Sequence, residues 1–129
     1  MLKTGILNPQ LNALLSRVRH TNTLVIADRG FPFWPMIETI DLALVDGIPS
    51  VPDVLRAVLA NWQCGRIWMA NEFREHNPAA VLSSLTSITG GLPITWQPHV
   101  DFKLHIPHAI GLVRTGDATP YANMILESA

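Results

Sequence analysis

The sequence predicts a single α/β domain in which helices flank a mixed, largely parallel β-sheet in three layers. The chain has 129 residues, 48% of them apolar, which suits one domain with a sizeable core. Strand-like apolar runs alternate with amphipathic helical patterns through most of the chain, as in layered α/β domains. The last two strand-like runs have only a short connection, which indicates an antiparallel pair because parallel strands need a longer crossover.

The N-terminal part of the chain predicts a helix followed by two strands. Asn8-Pro9 places a capping side chain before a proline at the first helical position. Apolar side chains then recur at helical spacing, at Leu11, Leu14, Leu15 and Val18. We expect this helix to end near Arg19-His20. The apolar, β-branched run from Thr23 to Asp28 is typical of a strand buried on both faces, and a second strand is predicted over roughly 39–44.

The middle of the chain predicts a helix, a strand and another helix. Ser50, followed three residues later by Asp53, opens a helix. Its apolar stripe consists of Leu55, Val58, Leu59 and Trp62. A third strand is predicted around 67–70. Asn77-Pro78 repeats the helix-start signal, and apolar side chains follow at Val81, Leu82 and Leu85.

The C-terminal part of the chain predicts a short strand in LPITWQP and one or two helical turns in HVDFKLH. The last two strands are expected in AIGLVRTG and YANMIL, joined around Gly116 to Pro120. If YANMIL is extended throughout, Tyr121 and Asn123 point to the same face of the sheet, because side chains two apart in a strand do so.

Charge and composition argue against several classes of partner. The formal net charge is −1 and the basic residues are scattered, which disfavours nucleic acid. No apolar run approaches the roughly 20 residues needed to span a bilayer. The single cysteine, Cys64, cannot form an intrachain disulfide and fits a reducing compartment. A cytoplasmic protein is therefore expected.

Two candidate site residues border the first predicted strand. His20 lies at the predicted end of the first helix, where the macrodipole favours a protonated imidazole, and histidine suits general acid–base catalysis. A capping histidine without a catalytic role fits the same position. Asp28 ends an apolar strand, and ligands of open α/β sheets bind outside the carboxyl ends of strands. A turn aspartate that accepts hydrogen bonds from the backbone near Arg29 is an equal alternative.

Two other sets of polar residues raise functional hypotheses. Tyr121 and Asn123 supply donors and acceptors suited to a polyhydroxylated ligand, although a half-buried aromatic and a turn residue explain them as well. His99, His105 and His108 suggest a metal, but the spacing H-x5-H-x2-H matches no standard zinc pattern, and no metal is expected. The sequence also contains neither a glycine-rich phosphate loop nor a G-x-S-x-G nucleophile motif.

Taken in order, several segments make the chain resemble the D-ribose pyranase / L-fucose mutarotase family. These segments are GILNPQL, RHTNTLVIADRGFP, IDLALVDGIPS, EFREHNP, HVDFK and RTGDATPYANMIL. They run nearly from end to end of the chain, and the last is the most specific. The DRGFP and IDLAL segments are more similar to the ribose branch than to the fucose branch.

The resemblance implies an isomerase that interconverts ring forms or anomers of a free monosaccharide without a cofactor. It implies that His20 is the catalytic proton donor. The residues that it implies for sugar binding are Asp28, His99, Tyr121, Ala122 through its backbone, and Asn123, with Lys103 as a possible residue at the edge. It also implies a ring-shaped homo-oligomer, a pentamer or decamer, with sites between subunits. One subunit would supply His20 and Asp28, and its neighbour the strand that carries Tyr121 and Asn123.

Three positions depart from the family pattern. Arg19 and Asn22 stand where the family usually has a glycine directly before His20 and an aspartate two residues after it, and Arg29 replaces a small residue after Asp28. A neutral amide cannot stabilise an imidazolium as a carboxylate does, and the two arginines add positive charge. The departures leave two alternatives: a sugar-binding or regulatory oligomer without catalysis, and a mutarotase for a fucose-like or anionic sugar.

Overall fold

The computed structural model describes residues 1–129, and their strands form one mixed sheet. The strands are β1 (Thr23–Ala27), β2 (Glu38–Asp41), β3 (Cys64–Ala70), β4 (Ile94–Gln97), β5 (Gly111–Arg114) and β6 (Met124–Ser128). Their spatial order is β2-β5-β1-β6-β3-β4. Only β6 runs against the others, because it pairs antiparallel with both β1 and β3 while the remaining pairs are parallel. The predicted mixed, largely parallel sheet is confirmed.

The prediction that the last two strands pair with each other was wrong. They run in opposite directions, but β1 lies between them. Ile26 of β1 is opposite Val113 of β5 on one side and Met124 of β6 on the other. Neighbouring strands are about 4.8 Å apart, so the connection over 115–123 is long enough to pass across the end of one strand. This connection carries the chain over the carboxyl end of β1.

Helices cover both faces of the sheet, which makes the three layers that the sequence predicts. One layer contains α1 (Pro9–Arg17), α2 (Val51–Asn61), α3 (Asn71–His76) and α4 (Ala79–Thr89), and the other contains α5 (His99–Leu104) and a 3-10 turn (Ile106–His108). The first layer packs on a core cluster that includes Leu24 and Ile26. The second packs on Val25 and Ala27, which point the other way because side chains alternate along β1. None of these helices has the length and apolar character to cross a membrane.

Local capping explains where α1 and α2 begin. The Asn8 side chain accepts a hydrogen bond from the Leu11 amide at 2.8 Å, and Pro9 is the first residue of α1. Ser50 and Asp53 form a reciprocal capping box at the start of α2, which satisfies two amides that the helix leaves unpaired. Both predicted helix starts are confirmed.

The end of α1 differs from the prediction. The helix stops at Arg17, and His20 lies in the turn that follows it. The Arg19 guanidinium donates to the carbonyls of Ser16 and Val18 at 2.9 and 3.2 Å. The positive charges at this helix end are therefore Arg17 and Arg19 and not His20, and the macrodipole gives no reason for a histidine at this position.

The second strand ends earlier than the predicted residue 44, and the turn that follows it packs against the segment after β5. β2 stops at Asp41, and the Leu44 amide donates to the Ile48 carbonyl at 3.0 Å to close a tight turn. This turn lies so close to Gly116 that a Cβ there would collide with the carbonyl oxygens of Val45 and Ile48. Glycine at this position therefore permits the close approach of two backbones.

Candidate active site

Four of the predicted site residues lie together at the end of the sheet where the parallel strands have their carboxyl ends. Asp28 follows β1 and His99 follows β4, while Tyr121 and Asn123 precede β6, which enters the sheet from this edge because it is antiparallel. All four line one open pocket of about 290 Å³. The rest of its lining is Gly30, Phe31 and Pro32. Ligands of open α/β sheets bind in this position, outside the carboxyl ends of the strands.

Asp28 is held in place by Asn123 and by its own turn. The Asn123 side-chain oxygen accepts a hydrogen bond from the Asp28 amide at 2.7 Å, and Asn123 is only 3% exposed. The Asp28 carboxylate accepts a hydrogen bond from the Gly30 amide at 2.9 Å. Burial raises the pKa of Asp28, and the hydrogen bonds from Gly30 and the Asn123 side chain oppose that rise. A carboxylate fixed in partly dry surroundings binds hydroxyl donors strongly.

His99 forms an aromatic wall of the pocket. Its ring meets the Tyr121 ring edge-on, with the centroids 5.1 Å apart, and stacks on Phe102 at 5.9 Å. Burial lowers the pKa of His99, the positive charge of Lys103 lowers it further, and Glu72 and Asp28 oppose both effects. A lowered pKa keeps the imidazole neutral at neutral pH, so that it can accept a proton.

Tyr121 reaches the pocket from a turn and not from a strand. Its φ angle is 56°, in the left-handed region that residues other than glycine seldom adopt, and β6 begins only at Met124. The alternation of side chains along a strand was therefore the wrong reason for expecting Tyr121 and Asn123 on one surface. They nevertheless line the same pocket, because the turn curls back over the end of β1.

The two remaining sugar-binding candidates lie beside the pocket. Ala122 is buried, and it lines a separate cavity of about 140 Å³ that borders α2 and α4. Lys103 is half-buried on α5, four residues after His99, which places it one helical turn further along the same face. Lys103 does not line the pocket, but its charge acts on His99.

His20 lies at the opposite end of the strands, where the parallel strands begin. It precedes β1, whereas Asp28 follows it, and a strand of five residues spans about 16 Å. The exposed turn around His20 is tied to the end of β6, where the Thr21 amide donates to the Ser128 carbonyl at 3.0 Å. One chain therefore does not bring His20 to the pocket.

The expected division of the site between subunits was wrong for Asp28. The hydrogen bond between Asp28 and Asn123 forms within one chain, so these residues do not face each other across an interface. Only His20 is separated from the others. The sequence could not reveal this because strand order decides which chain segments meet at the carboxyl ends of the parallel strands.

Comparison with known proteins identifies the family. A model of the RbsD / FucU transport protein family matches residues 1–129. The chain belongs to this family. It is 45% identical to the D-ribose pyranase of Laribacter hongkongensis over 128 residues, which covers 99% of this chain and 97% of that protein. It is 44% identical to the D-ribose pyranase of Geobacillus kaustophilus, with 99% and 93% covered.

Solved structures share the fold. The structure of Bacillus subtilis RbsD complexed with D-ribose has a TM-score of 0.93 and 33% identity, covering 100% of this chain and 98% of that one. The fucose mutarotase of Streptococcus pneumoniae, in complex with L-fucose, has a TM-score of 0.84, with 99% and 98% covered. Its identity of 23% makes it evidence for the fold alone.

The three departures from the family pattern do not line the pocket. Arg29 forms an ion pair with Asp46 and lines a separate surface cavity beside it. The Asn22 side chain accepts a hydrogen bond from the Arg19 amide at 2.8 Å, and the Arg19 guanidinium caps α1. The two arginines that suggested an anionic substrate therefore contact Asp46 and the end of α1, and not the pocket of their own chain.

The structure contains no cluster of side chains that could bind a metal ion. No group of three or more His, Cys, Asp or Glu side chains converges anywhere in the structure. His105 stacks on Trp68 with the centroids 5.8 Å apart, while His99 belongs to the pocket and His108 ends the 3-10 turn. The three histidines therefore do not share a site.

Sequence reasoning missed Phe31 as part of the pocket. Its ring lies 6.2 Å from the His99 ring and 6.3 Å from the Phe102 ring, edge-on to both. The surrounding DRGFP segment carries only turn signals and a resemblance to the ribose branch. An aromatic residue close behind a site aspartate was the available signal, since sugar rings pack on such side chains.

Proposed function

We propose that this protein interconverts the ring forms or anomers of a free monosaccharide, with D-ribose as the best-supported substrate and without a cofactor. The convergence of Asp28, His99, Tyr121 and Asn123 on one open pocket carries the proposal. Two relatives named D-ribose pyranase and a related structure complexed with D-ribose support the sugar. We place the reaction in the cytoplasm, a reducing compartment that suits the single cysteine.

The chemistry of ring opening suits these side chains. A cyclic aldose opens when its ring oxygen gains a proton and its anomeric hydroxyl loses one, and closure through a different hydroxyl changes the ring size. The neutral imidazole of His99 can accept a proton, while the Asp28 carboxylate and the Asn123 and Tyr121 side chains hold the hydroxyls. General acid–base catalysis of this kind contributes about 10²–10⁴-fold.

The proton donor in this proposal is His20 of a neighbouring subunit in a ring-shaped homo-oligomer, a pentamer or decamer. His20 is exposed and lies at the far end of β1 from the pocket of its own chain. Phe33 and Val100, each next in the chain to a pocket-lining residue, are 76% and 65% exposed. Exposed apolar surface around a site is typical of a protein interface, so a second subunit covering this rim would also complete the site.

Saturation-transfer NMR between the pyranose and furanose signals of D-ribose tests the proposal. We expect exchange to be faster with the protein than with buffer, and His20→Ala to lose most of the acceleration. His108→Ala, which changes an exposed histidine outside the pocket, is the matched control.

Two results would contradict parts of the proposal. Exchange no faster than in buffer would exclude ribose as the substrate, and full exchange in His20→Ala would exclude its role as donor. Calorimetric binding of ribose without any acceleration would favour the sugar-binding oligomer instead.

A further inference from the structure

The short helix α3 connects two walls of the pocket, although no residue of α3 lines it. The sequence did not predict this helix, and its six residues (Asn71–His76) lie between β3 and α4. Its first turn contacts the start of α5, where His99 lies, and its C-terminal end contacts the turn that carries Tyr121. The two ends of one helix therefore touch the backbone segments of two site residues.

At the N-terminal end of α3, Glu72 holds the backbone of His99. Both carboxylate oxygens of Glu72 accept a hydrogen bond from the His99 amide, at 3.1 and 2.9 Å. His99 is the first residue of α5, and Pro98 before it provides no side-chain cap. Glu72 thus supplies from a distant part of the chain the acceptor that the first amide of this helix lacks. This amide belongs to the backbone from which the His99 ring projects, and the ring itself packs against Phe102.

At the C-terminal end of α3, Asn77 and His76 hold the Tyr121 turn. The predicted role of Asn77 as a helix cap was wrong, because α4 begins at Ala79 without a side-chain cap. The Asn77 amide group instead donates to the Phe73 carbonyl at 2.8 Å and to the Pro120 carbonyl at 2.9 Å. The His76 ring stacks on the Tyr121 ring with the centroids 5.2 Å apart. A left-handed conformation at a residue such as Tyr121 persists only where its surroundings hold it.

We propose that α3 is a positioning element of this site, in which Glu72 sets the place of His99 and Asn77, with His76, sets the place of Tyr121. The role rests on the proposed function, because positioning matters for turnover only if these rings act on a sugar. Glu72, Asn77 and His76 are positioning residues, since they act through His99 and Tyr121 and do not touch the pocket.

Glu72 also acts on His99 through its charge. The charged groups that act on His99 are Glu72 of α3, Lys103 of α5 and Asp28 after β1, and the Tyr121 ring packs beside it. Glu72 raises the pKa of His99, against the lowering caused by burial and by Lys103. Glu72→Gln removes this charge and keeps an acceptor oxygen, so it separates the electrostatic role from the hydrogen bond.

The first experiment compares Glu72→Gln and Glu72→Ala with Glu75→Gln, an exposed glutamate on the same helix. We expect Glu72→Ala to lower kcat for ribose exchange by about 10- to 100-fold, with a smaller change in KM, because small displacements of reacting groups cost that much. Glu72→Gln should retain more of kcat but lower the pKa of His99 in an NMR titration, and Glu75→Gln should change neither. A wild-type kcat in Glu72→Ala, or an unshifted pKa of His99 in Glu72→Gln, would overturn the role of Glu72.

The second experiment uses Tyr121 as its own reporter, because it is the only tyrosine of the chain. Protein with isotope-labelled tyrosine gives one set of ring signals, shifted by the neighbouring His76 and His99 rings. We expect Asn77→Ala to move these signals toward those of free tyrosine. Asn61→Ala is the matched control, since Asn61 also donates to a carbonyl of its own helix but contacts no pocket segment.

His76→Ala provides a second variant that keeps the hydrogen bonds of Asn77. It should lower kcat, whereas its Tyr121 signals lose the shift caused by the His76 ring whatever the position of Tyr121. A wild-type kcat in His76→Ala would refute the role of His76, and unchanged Tyr121 signals in Asn77→Ala would refute the role of Asn77. The NMR measurements need no turnover. If wild-type protein fails to accelerate ribose exchange, the proposed function fails, while the signals of Tyr121 and His99 still decide whether α3 positions them.

Discussion

Asn123 and Asp28, which are 95 positions apart in the chain, are joined by a hydrogen bond of 2.7 Å from the Asp28 amide to the Asn123 side chain. This contact exists because β6 lies antiparallel beside β1, with Met124 opposite Ile26. The residue that precedes β6 therefore lies beside the residue that follows β1. One strand pairing thus builds the floor of the pocket.

Asn123→Ala should destabilise the protein and change the ionisation of Asp28. The variant leaves the partly buried Asp28 amide without its acceptor, which costs about 1–3 kcal/mol of the free energy of unfolding. It also removes a side-chain hydrogen bond that lowers the pKa of Asp28, so this pKa should rise. Urea unfolding and an NMR titration measure the two effects. Unchanged stability would mean that the hydrogen bond does not hold the pocket floor.

Asp28→Asn should make the protein more stable at neutral pH and less active. The folded protein raises the pKa of Asp28 above 3.8, so its stabilising contribution is complete below that value and is lost as the pH rises through the folded-state pKa. The ionised carboxylate therefore opposes folding at neutral pH. Urea unfolding should show Asp28→Asn gaining stability over wild type at neutral pH, and the gain should shrink near roughly pH 4. Glu75→Gln, which also replaces a carboxylate with an amide but at an exposed position, is the control.

Lys103→Gln should move the pH dependence of ribose exchange. The positive charge of Lys103 adds to the effect of burial in lowering the pKa of His99 below 6.5, so removal of the charge should raise that pKa. If neutral His99 accepts a proton, activity falls as the pH drops through this pKa, and the acid limb of kcat against pH should shift upward in the variant. The other lysine of the chain, Lys3, provides the control in Lys3→Gln. An acid limb that does not move would mean that His99 does not control it.

Arg29→Ser should leave ribose exchange unchanged. The Arg29 side chain pairs with Asp46 and does not line the sugar pocket, and a small residue there restores the family pattern. Loss of the exposed ion pair should cost less than about 1 kcal/mol of stability. If Arg29→Ser abolished ribose exchange, Arg29 would belong to the site. If wild-type protein preferred phosphorylated ribose and the variant did not, the substrate would be anionic.

Mixed oligomers should reveal whether the site lies between subunits. We expect His20→Ala and His99→Ala to be inactive alone and to regain part of the activity when they are unfolded together and refolded. Some interfaces of the mixture then combine an intact His20 with an intact pocket, as happens when unlike surfaces meet around a ring. Wild-type subunits refolded in the same way give the reference activity. No recovery in the mixture, with full recovery of wild type, would mean that His20 of one subunit does not serve the pocket of another.

Local sequence signals predicted the elements that depend on local physics. The Asn8 cap, the capping box of Ser50 with Asp53, and the apolar strand before Asp28 are all present in the structure. Caps and periodic patterns involve residues within one or two helical turns, so a single sequence contains them. The segment NEFREH forms one short helix, too brief for such a pattern, and its role as a connection between two pocket walls was not predictable.

By itself, the sequence determined the α/β class, the order of most helices and strands, the family, and a set of candidate residues from which the pocket is made. Only the tertiary structure decided that β1 separates β5 from β6, that Asp28 lies beside Asn123, and that His20 lies at the opposite end of β1 from Asp28. The physical reason is the range of the interactions. Strand order and register are set by packing and hydrogen bonds between segments far apart in the chain, and no local pattern specifies which of several apolar strands will be neighbours.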